Sequence, residues 1–286
     1  MDKELFDIGD NEIRVVGRTS PEEDKPQPKR RWWLWLLAAL LLVVLAVACW
    51  QMMHRPTLIS STYQEEPIVD TTQNVIFETF SESKAYTQVS NQTVNDIALQ
   101  IYTPVGGHVE LLVDSLPYDD QSIILATRAA DYRADNGEIS GAFVYRGELL
   151  SRGHPKYGFC AIIGDKLTMG MSRETILFER AVEQEGYFFR QFSLVHDGKF
   201  GESLPKGKAN RRALCYYQEN IVIIESKERE SMHDFSQALL DLGVKEAIAL
   251  AGSIPLPLYE DEAGNRIINE YRHEDGARET YIVWRK

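Results

Sequence analysis

The stretch R-R-A-L-C-Y-Y-Q-E-N-I-V-I-I-E-S-K-E-R-E-S-M-H-D-F-S-Q-A-L-L-D-L-G-V-K-E-A-I-A-L-A-G-S, Arg211 to Ser253, carries the strongest structural signals in the chain. Ser231 followed three residues later by Asp234 approximates a capping box. Met232, Phe235, Ala238, Leu239 and Leu242 then recur at helical spacing until Gly243 ends the run. This predicts a helix over 232–242 with one face buried on a sheet. The apolar runs before and after it, 221–226 and 246–251, read as strands. Strand, helix, strand in that order and at that length is a βαβ unit, whose two strands are expected to be parallel neighbours.

Working outward, strand-like stretches dominate. N-V-I-F-E-T-F, H-V-E-L-L-V-D, Q-S-I-I-L-A-T, G-A-F-V-Y-R-G, Y-G-F-C-A-I-I-G, K-L-T-M-G-M, Y-F-F-R-Q-F-S-L-V, R-I-I-N-E-Y and E-T-Y-I-V-W all suit strands. A second helix is expected over Arg173–Glu185, with Ser172 as N-cap and Gly186 as the stop. T-P-V-G-G-H-V-E reads as a hairpin turn. The expected class is α/β (mixed α+β), a central mixed β-sheet flanked by helices.

Trp32 to Met53 is 22 residues without a charge. As a helix it would span about 33 Å, enough for a bilayer core. Lys25, Lys29, Arg30 and Arg31 precede it and only His54 and Arg55 follow, so the expected placement is a single-pass cell-membrane protein. Its N-terminus would be cytoplasmic and its C-terminal domain extracytoplasmic, periplasmic if bacterial. The expected organisation is a flexible tail over 1–31, a transmembrane helix over 32–53, a stalk over 54–73 and a folded domain over 74–286.

The net charge is −12, and the first 31 residues hold seven Lys/Arg against eight Asp/Glu, so the acidic excess lies almost entirely beyond them. That balance argues against nucleic acid, whose phosphates need a basic face. The six histidines are scattered without i, i+3 or i, i+4 pairs and there is no C-x-x-C, so no metal site is expected. No G-x-S-x-G, P-loop or G-x-G-x-x-G occurs, and no cofactor is implied. Cys160 and Cys215 read as buried thiols or as a pair.

The Arg211–Ser253 stretch resembles the C-terminal half of the phosphodiester glycosidase domain family. That family shows an R-T-A-I-G strand, a strand ending in V-D-G-R, a helix ending in L-G and a strand ending in N-L-D-G-G-G-S. Arg211 then matches the motif arginine, Ala213 its alanine, Glu225 the acid of V-D-G-R, Gly243 the helix-ending glycine, and Gly252 with Ser253 the terminal loop. The resemblance implies a glycosyl phosphodiester as substrate, Glu225 and Arg211 as catalytic residues, and Arg212, Asp197, Gly252 and Ser253 as binding residues.

Ala249 and Ala251 stand where the family has Asn and Asp, and Arg128 of T-R-A-A-D-Y-R lies near the position of a motif Asn. Cleavage at an anomeric carbon develops positive charge that a carboxylate stabilises, while arginine holds the departing phosphate. With alanine at 251, Glu225 or Asp197 must supply the carboxylate. The resemblance thus implies binding, with or without hydrolysis, of a glycosyl phosphodiester at the envelope; the alternative is an inactive glycan-binding or assembly module on the same fold. The expected partners are the membrane and a sugar-phosphate or glycan ligand.

Overall fold

The computed structural model describes residues 40–45, 74–76, 84–133, 135–202, 204–252, 255–270 and 278–286, with only the backbone of 74–76. The expected tail (1–31) and nearly all of the expected stalk (54–73) lie outside the described residues. Of Trp32–Met53, residues 40–45 are helical and exposed, and the rest lies outside them too. Among the described residues no helix is long and apolar enough to cross a membrane, and this overturns the single-pass membrane placement expected above. Residues Ile68–Lys286 form one compact unit.

Within that unit the helix after β14 (Asn220–Ser231) forms as its spacing predicts. Helix α2 spans Met232–Leu242; Ser231 Oγ accepts from the Asp234 N–H at 3.0 Å, and Gly243 ends it in the left-handed conformation, φ 95°. Helix α1 is shorter than expected, Ile176–Glu183. Its N-cap is Thr175 rather than Ser172, because the Thr175 side chain accepts from the Leu177 N–H.

The expected helix-flanked mixed sheet is not what forms. Strands build three antiparallel sheets, and the two helices of this unit each cover a patch of them. One seven-stranded sheet has β13 (Lys208–Tyr217) between β14 and β15 (Glu246–Ala249). It continues on one side through β3 (Ile97–Val105) to β2 (Tyr86–Val94), and on the other through β11 (Ser193–His196) to β12 (Lys199–Phe200). Since β13 runs antiparallel to both neighbours, β14 and β15 share a direction but never touch. The expected parallel neighbours are held one strand apart by the strand that precedes them in the chain.

A five-stranded sheet contains β5 (Ile123–Arg128), β16 (Leu258–Glu260), β18 (Thr280–Arg285), β17 (Arg266–Ile268) and β4 (His108–Val113). The six-stranded sheet carries β8 (Gly158–Ile163), β9 (Lys166–Met171) and β10 (Tyr187–Gln191), flanked by β1 (Asn74–Ile76), β6 (Phe143–Tyr145) and β7 (Glu148–Ser151). Gly106 and Gly107 therefore join strands of two different sheets rather than closing a hairpin.

Side-chain alternation assigns each face of the seven-stranded sheet a partner. Leu214, Ile221, Ile223 and Ile248 enter a central core with Leu125, Ile282 and Trp284 of the five-stranded sheet and Phe143, Cys160 and Phe189 of the six-stranded one. Ala213, Cys215, Val222, Ile224 and Ala249 point the other way, onto Phe235, Ala238 and Leu239 of α2. Cys160 and Cys215 are thus buried free thiols in separate clusters. Burial pushes both thiols up in pKa, so neither is a ready nucleophile.

Candidate functional site

Arg212 and Glu225 are direct cross-strand partners on β13 and β14, next to the bulge between Asn210 and Arg212. By alternation both face the central core side, like Leu214 and Ile223. A buried charge there must be paired. Arg212, 3% exposed, donates to Glu225 Oε2 from Nη2 at 2.6 Å and from Nε at 3.0 Å. Its Nη1 reaches Thr127 Oγ1 at 3.2 Å and the Ala251 carbonyl at 3.5 Å. Tyr102, on β3 one strand further, donates its hydroxyl to Glu225 Oε1 at 2.8 Å. Burial first, and then the Glu225 charge, raise the Tyr102 pKa far above its ordinary value, so this phenol stays a donor.

Arg212 and Glu225 border a cavity of about 230 Å3. β13 contributes Asn210 to Arg212, β14 Glu225 to Lys227, β3 Gln100, and the segment after β15 Gly252 and Pro255. Of the described lining side chains three are cationic and one is acidic, in a chain whose net charge is −12. The Lys227 ammonium has no carboxylate partner among the described residues.

Arg211 lines the cavity too, but alternation turns it away from Glu225. Its Nε donates to the Glu230 carbonyl at 2.8 Å and its Nη2 to the Gly207 carbonyl at 2.5 Å. Partial burial lowers its pKa. Its backbone N–H donates to Ser226 Oγ at 2.9 Å, and that hydroxyl donates on to the Glu228 carbonyl at 2.7 Å.

The expected site residues therefore divide. Glu225, Arg211, Arg212 and Gly252 are brought together, while Ser253 lies outside the described residues. Asp197 sits elsewhere, in the turn between β11 and β12, where its backbone N–H donates to Glu246 Oε1 at 2.9 Å. Glu246 begins β15 and Gly252 follows its other end, so the length of that strand, roughly 10 Å over three rises, separates the two. Ala249 faces α2 rather than the cavity. Ala251 is buried beside Arg212; its N–H donates to the Ala129 carbonyl at 3.0 Å. Arg128 is drawn to Glu279, Nε to Oε1 2.9 Å, while its neighbour Thr127 reaches Arg212.

Gln100 and Tyr102 are absent from the sequence-based expectation, because the β2–β3 hairpin is absent from it. Its signal is present: Asn95 and Asp96 form a two-residue turn with φ of 52° and 62°, the left-handed pair of a type I′ hairpin. Val94, Ile97, Leu99 and Ile101 supply the apolar flanks.

No protein-family model and no curated protein matches this sequence. Among solved structures, the chain is similar to the catalytic domain of zebrafish N-acetylglucosamine-1-phosphodiester alpha-N-acetylglucosaminidase auto-inhibited by its pro-peptide. That similarity has a TM-score of 0.51 and 13% identity, over 76% of this chain and 88% of that one. A hypothetical protein from Synechocystis aligns over 71% of this chain and 64% of its own, with 12% identity and a TM-score of 0.42. The first of these likenesses shows that this chain has a fold related to a phosphodiester glycosidase catalytic domain.

Proposed function

We propose that the chain binds a phosphorylated sugar in the Arg212–Glu225 cavity, with the phosphoryl group taken by Lys227 and Arg211 and a sugar hydroxyl by Glu225. The observation that carries this reading is a cavity with three cationic side chains and one acid in a strongly acidic protein. Such a local reversal of charge draws anions to that place. The fold likeness supports a glycosyl phosphodiester as the ligand class.

Binding without turnover is the form the geometry favours. Glycoside cleavage in its usual form uses two carboxylates. Among the described lining residues Glu225 is the one acid, and both of its oxygens already accept hydrogen bonds. Hydrolysis is the second reading, favoured by the 15% exposure of the Glu225 side chain. There, water would attack the anomeric carbon and pass its proton to Glu225, while the C–O bonding pair leaves with the phosphate.

The test is calorimetric titration of the full chain with N-acetylglucosamine 1-phosphate and with a methyl phosphodiester of the same sugar, alongside an assay for released sugar. Binding without release supports the first reading. Release that Glu225→Gln and Arg211→Ala each slow at least about tenfold supports the second. Absence of binding to either compound refutes both.

A further inference from the structure

Three donors hold Glu225: Arg212 Nε and Nη2 on Oε2, and the Tyr102 hydroxyl on Oε1. A carboxylate offers about four lone-pair positions, so one remains, on Oε1. Which way that last position faces depends on the plane of the carboxylate. Arg212 alone does not fix it, because both of its bonds end on the same oxygen. Tyr102 supplies the second point.

Tyr102 is itself held. It is 4% exposed, part of the central core, and its ring meets Tyr259 of β16 edge-on with centroids 5.3 Å apart. Tyr259 belongs to the five-stranded sheet and Tyr102 to the seven-stranded one, so the hydroxyl is anchored from both. Phenylalanine would fill the same space and keep the same ring contact. What the tyrosine adds is the bond to Glu225.

We propose that Tyr102 is the positioning residue of this site: through Oε1 it sets the carboxylate plane of Glu225, and so sets how tightly the site takes a hydroxylated phosphate relative to a bare one. This rests on the cavity reading above. Inorganic phosphate needs the cations alone, whereas a sugar phosphate also needs the last acceptor position of Glu225.

The experiment compares the affinity of the full chain for N-acetylglucosamine 1-phosphate with that for inorganic phosphate, in the wild type, Tyr102→Phe, Glu225→Gln and the double variant. The expected result is that Tyr102→Phe lowers the ratio of the two affinities about tenfold, the scale of one charge-assisted hydrogen bond, and that it lowers the ratio no further once Glu225 is Gln. A role confined to packing would weaken both probes alike and leave the ratio standing. That result, or an equal drop in the Glu225→Gln background, overturns the proposal.

If the wild type binds neither probe, the cavity reading has failed, and the Tyr102 role is judged by urea unfolding of the same four proteins. Coupling of about tenfold in the folding equilibrium between the two substitutions supports action through Glu225. Additive effects overturn it.

Discussion

Replacing Arg212 by methionine is the most direct probe of the site, because it removes one member of a buried ion pair and keeps most of the volume. Arg212 is 3% exposed and Glu225 15%, with 2.6 Å between Nη2 and Oε2. Stranding one partner of such a pair costs about 3–5 kcal/mol, since the remaining charge is neither hydrated nor paired. The water that reaches Glu225 places the expected loss near the lower end, about 3 kcal/mol. In a unit of this size that lowers Tm by about 6–12 °C.

Urea unfolding followed by tryptophan fluorescence reads the same quantity through Trp284, which is fully buried. The companion variant, Arg212→Met with Glu225→Leu, removes both charges. It should recover at least half of the loss, although Tyr102 and Thr127 then lose a partner at about 1 kcal/mol each. A single variant that loses less than about 1 kcal/mol, or a double variant no more stable than the single, would refute the claim that a paired buried charge organises this cavity.

Three further outcomes follow from local geometry. A Cβ on Gly252 would stand 2.7 Å from the Asn210 carbonyl oxygen, so Gly252→Ala should destabilise by about 1–3 kcal/mol and weaken sugar-phosphate binding, read by urea titration and calorimetry. Ser231→Ala removes the N-cap of α2 and should cost about 1 kcal/mol by the same urea titration, with ligand affinity unchanged. Arg285 and Ser122 hold the Asp120 carboxyl down from 3.8 to about 2, a depressed value whose stabilisation is complete above 3.8 and lost as pH falls toward 2. The gap in urea midpoint between wild type and Asp120→Asn should therefore be constant above about pH 5 and close as pH 2 is approached.

The site was legible in part. Glu225 and Arg212 stand in the sequence at strand positions flanked by apolar runs, and the cavity does form around them. Which of two adjacent arginines meets the acid was not legible, because alternation sends Arg211 and Arg212 to opposite faces and the bulge at Asn210 sets the phase. Asp197 was named as a carboxylate to replace the one that Ala251 does not supply, yet its place is in a turn beside Glu246. Tyr102 was missed with its whole hairpin: its own strand β3 is apolar enough to read as one, but the partner β2, T-Q-V-S-N-Q-T-V, is too polar to stand out. It is an edge strand, and most of its residues past Val89 face water.

By itself the sequence determined what acts over a few residues. The cap of α2 at Ser231, its stop at Gly243, the preponderance of strands and the acidic balance all come from neighbouring side chains or simple composition. Tertiary structure alone decided that β13 lies between β14 and β15, that the sheets are antiparallel, and that Tyr102 and Arg212 converge on the Glu225 carboxylate while Thr127 holds Arg212 from the other side. Those outcomes depend on which apolar faces bury one another across long separations. In the sequence a carboxylate such as Glu225 carries no mark of the partners, Arg212 and Tyr102, that the completed core brings to it.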